Sequence, residues 1–192
     1  SISFIEFNMK GDLVSNKILD DFFIGDFDVI VDDENYIVVG TIKESSNEVV
    51  NNKLLEKDYL KEENSVVIKF NINTEEVDYN IFGGQLNDRF SKIYLYDNNY
   101  YITGYKDTNS GYDFGYGGYN EKGYFICKLS KELILYNYAI LEDEVINVEF
   151  DEFINVFLNN QIYCLNYQLN HEKGVKFDSQ SIFMTMIDKN LV

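Results

Sequence analysis

One short segment recurs four times along this chain, and a recurring unit constrains a fold more tightly than any composition does. The copies are Phe4-Ile5-Glu6-Phe7-Asn8, Val67-Ile68-Lys69-Phe70-Asn71, Ile126-Cys127-Lys128-Leu129-Ser130 and Met184-Thr185-Met186-Ile187-Asp188. With Phe7, Phe70, Leu129 and Ile187 taken as equivalent, the intervals are 63, 59 and 58 residues. A polar turn and a second short apolar stretch follow the first three copies: Leu13-Val14, Val77-Asp78-Tyr79 and Leu133-Ile134-Leu135-Tyr136. The fourth copy stops at Leu191-Val192, where that stretch would begin.

A second unit lies between these copies. Tyr36-Ile37-Val38-Val39-Gly40 matches Tyr100-Tyr101-Ile102-Thr103-Gly104 and, more weakly, Ile162-Tyr163-Cys164-Leu165-Asn166. Upstream of each lies a strand-like run, Phe27 to Val31, Phe90 to Tyr96 and Ile154 to Leu158. The two are joined by Asp32-Asp33-Glu34-Asn35, Asp97-Asn98-Asn99 and Asn159-Asn160. Asp and Asn tolerate left-handed backbone and bond to their own main chain, so these joins read as hairpin turns. Each period is therefore expected to be four short antiparallel strands.

The expected fold is all-β. Four-stranded units repeated about every 60 residues suit a β-propeller, whose blades leave only short protected edges. Continuous apolar runs at Val66-Val67-Ile68 and Tyr124-Phe125-Ile126-Cys127 fit inner strands buried on both faces better than a sandwich, where alternation is stricter. The count is about three and a half blades, below the roughly four that close a ring. The chain therefore reads as one repeat domain, a partial propeller. Its boundaries are 1–19 for the end of a blade, 20–82 and 83–140 for two full blades, and 141–192 for an incomplete one. The segment Asn51 to Glu63 departs from this pattern and reads either as a turn or two of helix or as a surface loop. The chain starts at Ser1 inside an alternating segment, which reads as a fragment or processed piece.

Charge narrows the partners. Among 192 residues, 33 Asp and Glu against 16 Lys and Arg give a formal charge of -17. Such a surface repels nucleic-acid phosphates and anionic lipid, so nucleic acid is not an expected partner. No stretch approaches the roughly 18 apolar residues of a membrane span, and Ser1 to Phe7 lack the basic start of a signal peptide. No membrane insertion is expected. With 45% hydrophobic and 16% aromatic residues the chain has material for a core, unlike a charge-rich disordered segment. The absence of Pro and Trp, beside 23 Asn, suggests an AT-rich coding sequence, from a low-GC bacterium or its phage.

The second full period resembles the repeat of bacterial surface and secreted β-propellers. The residues that carry the resemblance are Gly83-Gly84, Asp88-Arg89-Phe90, Tyr100-Tyr101-Ile102-Thr103-Gly104-Tyr105, Asp113-Phe114, Gly117-Gly118 and Gly123 to Leu129. It extends over residues 83 to 140, more loosely over 20 to 82, and fades over 141 to 192, where Asn166 stands at the glycine position. The resemblance implies propeller architecture and a binding or scaffold role, with Phe114 packed between blades. It implies no particular ligand.

Candidate chemistry is sparse. His171, the only histidine, lies in the polar stretch Asn170-His171-Glu172-Lys173-Gly174 and reads as a solvated loop residue; no oriented partner accompanies it, as a catalytic base requires. Cys127 and Cys164 occupy strand positions and read as small core hydrophobes, a disulfide between them being the alternative in an exported protein. Asp107, Asn109 and Asp113 place oxygen donors at alternate positions, as the start of a calcium loop does. Gly118 stands where that loop would need its bidentate acid, and ordinary polar turns share this composition. The doublets Asp20-Asp21, Asp32-Asp33 and Glu62-Glu63 read as solvated turns. Within the glycine-rich stretch Gly111 to Tyr124, residues Tyr112, Tyr116 and Tyr119 lie outside the family positions. They are the candidate ligand-binding residues, since tyrosine rings give large rigid contact area at small entropic cost.

The expected function is a non-catalytic binding or scaffold module of a larger bacterial surface, secreted or phage protein, with a protein or glycan partner. An extracellular or cell-surface location is favoured, with the cytoplasm open. Two alternatives stand beside it: a carbohydrate-active hydrolase domain, which rests on fold analogy, and an assembly subunit that completes a ring through its blade edges, with a second copy or a neighbouring domain as partner.

Overall fold

The computed structural model describes residues 1–20, 22, 24–42, 63–84, 86–106, 112–114, 123–140, 153–158, 161–170 and 179–191, with the backbone alone described for 112, 153–158, 163–170 and 179–185. These residues form thirteen strands in four antiparallel sheets. A hairpin pairs β1 (Ile2–Phe7) with β2 (Leu13–Leu19). The second sheet runs in chain order through β3 (Ile24–Asp32), β4 (Asn35–Ile42), β5 (Asn64–Asn71) and β6 (Val77–Phe82). The third repeats that order with β7 (Asp88–Tyr96), β8 (Asn99–Lys106), β9 (Gly123–Leu129) and β10 (Leu135–Ile140). The fourth holds β11 (Phe153–Leu158), β12 (Gln161–Asn170) and β13 (Ser179–Asp188). Residues 51–62, most of the segment expected to be helix or loop, lie outside the described residues, as does His171.

Two sheets of four strands match the expected period, and the burial pattern explains their apolar runs. In β4 and β5, Val38, Val66, Ile68 and Phe70 pack with Phe4 of the hairpin, while Ile37, Val39 and Val67 face the third sheet. In β8 and β9, Tyr100, Ile102, Phe125, Cys127 and Leu129 face back to the second sheet, whereas Tyr101 and Ile126 face Ile162 and Leu191 of the fourth. A strand covered on both sides has no polar face to supply. Each such side chain contributes about 1.5–3 kcal/mol by leaving water.

Local chemistry repeats with the strands. The residue that ends β5 and β13, and the one just after β1 and β9, folds its side chain over the following turn: Asn8 Oδ1 accepts from Lys10 N at 2.8 Å, Asn71 Oδ1 from Asn73 N at 3.0 Å, Ser130 Oγ from Glu132 N at 3.1 Å and Asp188 Oδ1 from Asn190 N at 2.8 Å. Short polar side chains form such bonds readily, which is why Asn, Ser and Asp interchange here. Each turn then passes through a left-handed residue, at Gly11, Glu75, Leu133 and Leu191.

The glycines of the second recurring unit have a steric cause. Both β3 and β7 carry an irregularity, between Gly25 and Asp28 and between Phe90 and Lys92. Gly104 lies opposite the second, where a Cβ would meet the Arg89 carbonyl oxygen at 2.1 Å; at Gly40 it would meet Ile24 Cγ2 at 2.4 Å and Asp26 O at 3.0 Å. Bulged backbone approaches closely enough to exclude a side chain. In β11 and β12 the register is continuous, and Asn166 simply pairs with Phe153.

Candidate functional site

The ion pairs among the described residues each join one sheet to the next. At the joint of the second and third sheets, Asp32 at the end of β3 is buried and accepts the Tyr100 hydroxyl at 2.5 Å. Lys131, from the turn between β9 and β10, donates to the same Oδ2 and lies over the Tyr100 ring at 4.9 Å. Burial alone would raise the Asp32 pKa, but the hydrogen bonds from Lys131 and Tyr100 outweigh it and hold the carboxyl below its ordinary value. The Tyr100 hydroxyl is pushed up strongly, by burial and then by the Asp32 carboxylate it faces. The expectation that Asp32-Asp33 is a solvated turn is therefore corrected for Asp32. The neighbouring sheet supplies a cation and a hydroxyl, and that compensation makes its burial affordable.

Around this pair the third sheet's turn is fastened to the second sheet. Lys69 Nζ donates to the Lys131 carbonyl at 3.3 Å, and Asn80 Nδ2 to the Leu133 carbonyl at 3.2 Å. The Leu133 side chain is buried in the core between the two sheets. Further along, Asp28 Oδ2 accepts from Ile93 N at 3.0 Å, satisfying a backbone amide beside the bulge in β7.

The joint of the third and fourth sheets uses comparable parts. Lys189, in the turn after β13, pairs with Asp97 at 2.7 Å. Tyr101 donates its hydroxyl to the Lys189 carbonyl at 2.9 Å, and Asn137 Nδ2 donates to the Leu191 carbonyl at 3.2 Å. Leu191 is buried beside Tyr101 and Ile126. Asp97 is the first residue of its turn whereas Asp32 precedes its own, so the carboxylate has moved by one position. The Lys189 hydrogen bond lowers the Asp97 pKa, and the same bond raises that of Lys189. Tyr101 is pushed up to about 12, chiefly by burial.

Of the candidate residues from the sequence, Tyr112 and Asp113 are described, and they lie toward the other end of the sheets. Tyr112 opens a short 3-10 turn, Tyr112–Phe114. Asp113 Oδ2 accepts from Gly83 N at 3.1 Å, and Phe114 is buried against Phe82 of the second sheet and Phe90, Phe125 and Tyr138 of the third. Tyr116 and Tyr119 lie outside the described residues, as do Asp107 and Asn109, so of the three calcium candidates Asp113 alone is described. Its carboxylate ties the loop to the segment that follows β6. Near this end, Thr41 Oγ1, Asn64 Oδ1 and Ser65 Oγ are buried with no hydrogen-bond partner among the described residues.

Cys127 is free and fully buried at the position that Ile68 holds in the second sheet. Burial pushes its thiol well above the ordinary range, as for a packing residue and unlike a nucleophile. Cys164 lies on β12, opposite Asn155 on one side and Thr185 on the other.

Sequence reasoning missed Tyr100, Lys131 and Asp32 as a cluster. A signal was present: Lys131 and Lys189 both stand two residues after the equivalent positions Leu129 and Ile187, and an Asp stands near the end of β3 and after β7. The signal links different periods, so it becomes visible only when one period is laid against the next.

Comparison with protein-family models finds no match to this chain, and comparison with curated proteins finds none either.

Proposed function

We propose that this chain is a non-catalytic binding or scaffold module, built as a partial β-propeller of a bacterial surface, secreted or phage protein, that holds a protein or glycan partner. The observation that carries the reading is the recurrence of one set of contacts at two joints between successive sheets: a turn lysine on an acidic residue, an asparagine on a turn carbonyl and a buried turn leucine. A propeller needs such a contact, because each blade must sit on the next in the same way. The Asp32 carboxylate and the Tyr100 hydroxyl bond to each other inside it, and Lys131 completes the cluster.

Partner binding is assigned to the loop end of the molecule, where Asp113 and Phe114 fix one part of the Gly111 to Tyr124 stretch and where Tyr112, Tyr116 and Tyr119 fall in the sequence. Rigid scaffolds commonly present binding residues on the loops they hold. The test is a glycan array and a panel of surface proteins probed with the wild type and with a variant carrying Tyr112→Ala, Tyr116→Ala and Tyr119→Ala. The expected result is binding by the wild type that the triple variant loses at unchanged melting temperature. Release of reducing sugar from any array glycan would contradict this reading and favour the hydrolase alternative.

A further inference from the structure

We infer that the second and third sheets enclose a hydration site at their loop end, where one internal water molecule bridges the hydroxyls of Thr41 and Ser65. The site stands independently of any partner that the molecule binds.

Thr41 and Ser65 stand directly opposite each other on β4 and β5. Thr41 continues the alternation of Ile37 and Val39, and Ser65 that of Val67, so both turn toward the third sheet. Thr41 is 8% exposed and Ser65 0%, and neither hydroxyl has a hydrogen-bond partner among the described residues. Buried polar atoms of folded proteins nearly always have such a partner, from the protein or from ordered water. Opposite residues on paired strands hold their β-carbons about 4.5–5.5 Å apart. Two hydroxyls at that spacing that do not bond directly are within reach of a single water, since each O–H···O bond spans about 2.5–3.0 Å. Asn64 Oδ1 and Thr103 Oγ1 are buried in the same condition, but alternation sets them on the opposite faces of β5 and β8, outside this site.

The third sheet supplies the facing wall. Asp88 N donates to the Glu63 carbonyl at 3.0 Å and Arg89 pairs with Glu63 at 2.6 Å, which sets the start of β7 beside the start of β5. Asp88 shares the face of Phe90, and Lys106 stands opposite Asp88 on β8, in the alternation of Tyr100 and Ile102. Both charged side chains are buried, and Lys106 Nζ lies 5.3 Å from the centre of the Tyr138 ring. Phe82, paired with Ser65 across β5 and β6, packs on Phe90 and Phe114 and closes the apolar side. These charges select the occupant. A cation would meet Lys106 and an anion would meet Asp88, whereas the hydroxyls can both give and accept hydrogen bonds. The site therefore takes a neutral molecule with donors and acceptors, and its enclosure limits that molecule to the size of water.

The test reads the sign of a stability change in the full chain. With a bridging water in place, Thr41→Val and Ser65→Ala each take one bond from it, so each should lower the midpoint of denaturant unfolding. The double variant should lose less than the sum of the two, because its second change finds the bridge already broken. Without a water, each substitution removes an unbonded hydroxyl from the core and should raise the midpoint. Val copies the shape of Thr and Ala that of Ser without its hydroxyl, so the variants should fold as the wild type does. A crystal structure of the wild type then identifies the occupant, with density for one water expected at about 2.5–3.0 Å from both oxygens. A raised midpoint in either single variant, losses that add in full, a protein group bonded to either hydroxyl, or an ion where the water is expected would each overturn the inference.

Discussion

The joint between the second and third sheets and the joint between the third and fourth share a turn lysine on a carboxylate, an asparagine on a turn carbonyl and a buried turn leucine, in different surroundings. Between the second and third sheets, the side chains of Asp32 and Lys131 are 9% and 20% exposed and share their site with the Tyr100 hydroxyl. Between the third and fourth, Asp97 is 57% exposed and Lys189 26%. A shared blueprint therefore does not imply shared energetics. Removing one member of a buried, hydrogen-bonded pair leaves the other charge without water, whereas an exposed pair is screened and contributes little. What the joints hold in common energetically is the turn leucine, because a buried apolar side chain contributes wherever it is enclosed.

This contrast can be broken by substitution. The largest effects are expected at the leucines: Leu133→Ala and Leu191→Ala should each destabilise by about 2–4 kcal/mol, read by denaturant unfolding, if both are equally enclosed. A loss at Leu133 alone would show that only the first joint is closed. Next comes the buried carboxylate, where Asp32→Ala should cost about 2–3 kcal/mol because Lys131 and Tyr100 lose their common acceptor. The sign with pH follows from the lowered Asp32 pKa. Its stabilisation is present above the ordinary carboxylate value of 3.8 and is lost as pH falls through the folded-state pKa. Acid unfolding of the wild type should therefore be steeper below about pH 4 than that of Asp32→Asn. The raised Tyr100 pKa acts at the other end of the scale, its contribution present below 10.0 and lost as pH rises beyond it. The smallest effect is expected at the exposed pair, where Lys189→Ala should leave the unfolding midpoint nearly unchanged.

Cys127 offers a separate check on the same core. Peptide mapping after maleimide treatment should find it unmodified in the native protein and labelled after unfolding, since it is buried and its thiol is held protonated. Labelling under native conditions at the rate of a free thiol would mean that the second and third sheets separate readily.

Much of the strand order was legible because its signals are local. Asp and Asn in the turns, apolar runs in β4, β5, β8 and β9, and glycine opposite a bulge each act within a few residues. The sheets follow because short turns pair neighbouring strands. The joints were not legible for the opposite reason. Asp32 sits in a run of acidic residues that looks solvated, and its partners Tyr100 and Lys131 are 68 and 99 residues away. Nothing in the composition of a turn reveals which surface it will dock against. Asp113 shows the same limit on a smaller scale: its oxygen suits a calcium loop in the sequence, and in the fold it accepts the amide of Gly83.

The most direct test of the claim that one joint is reused with different energetics is a pair of double-mutant cycles measured by chemical unfolding, Asp32→Ala with Lys131→Ala and Asp97→Ala with Lys189→Ala. Coupling of about 1.5–3 kcal/mol is expected for the first pair and none above the error of measurement for the second. Coupling near zero for Asp32 with Lys131, or larger coupling for the exposed pair, would contradict it.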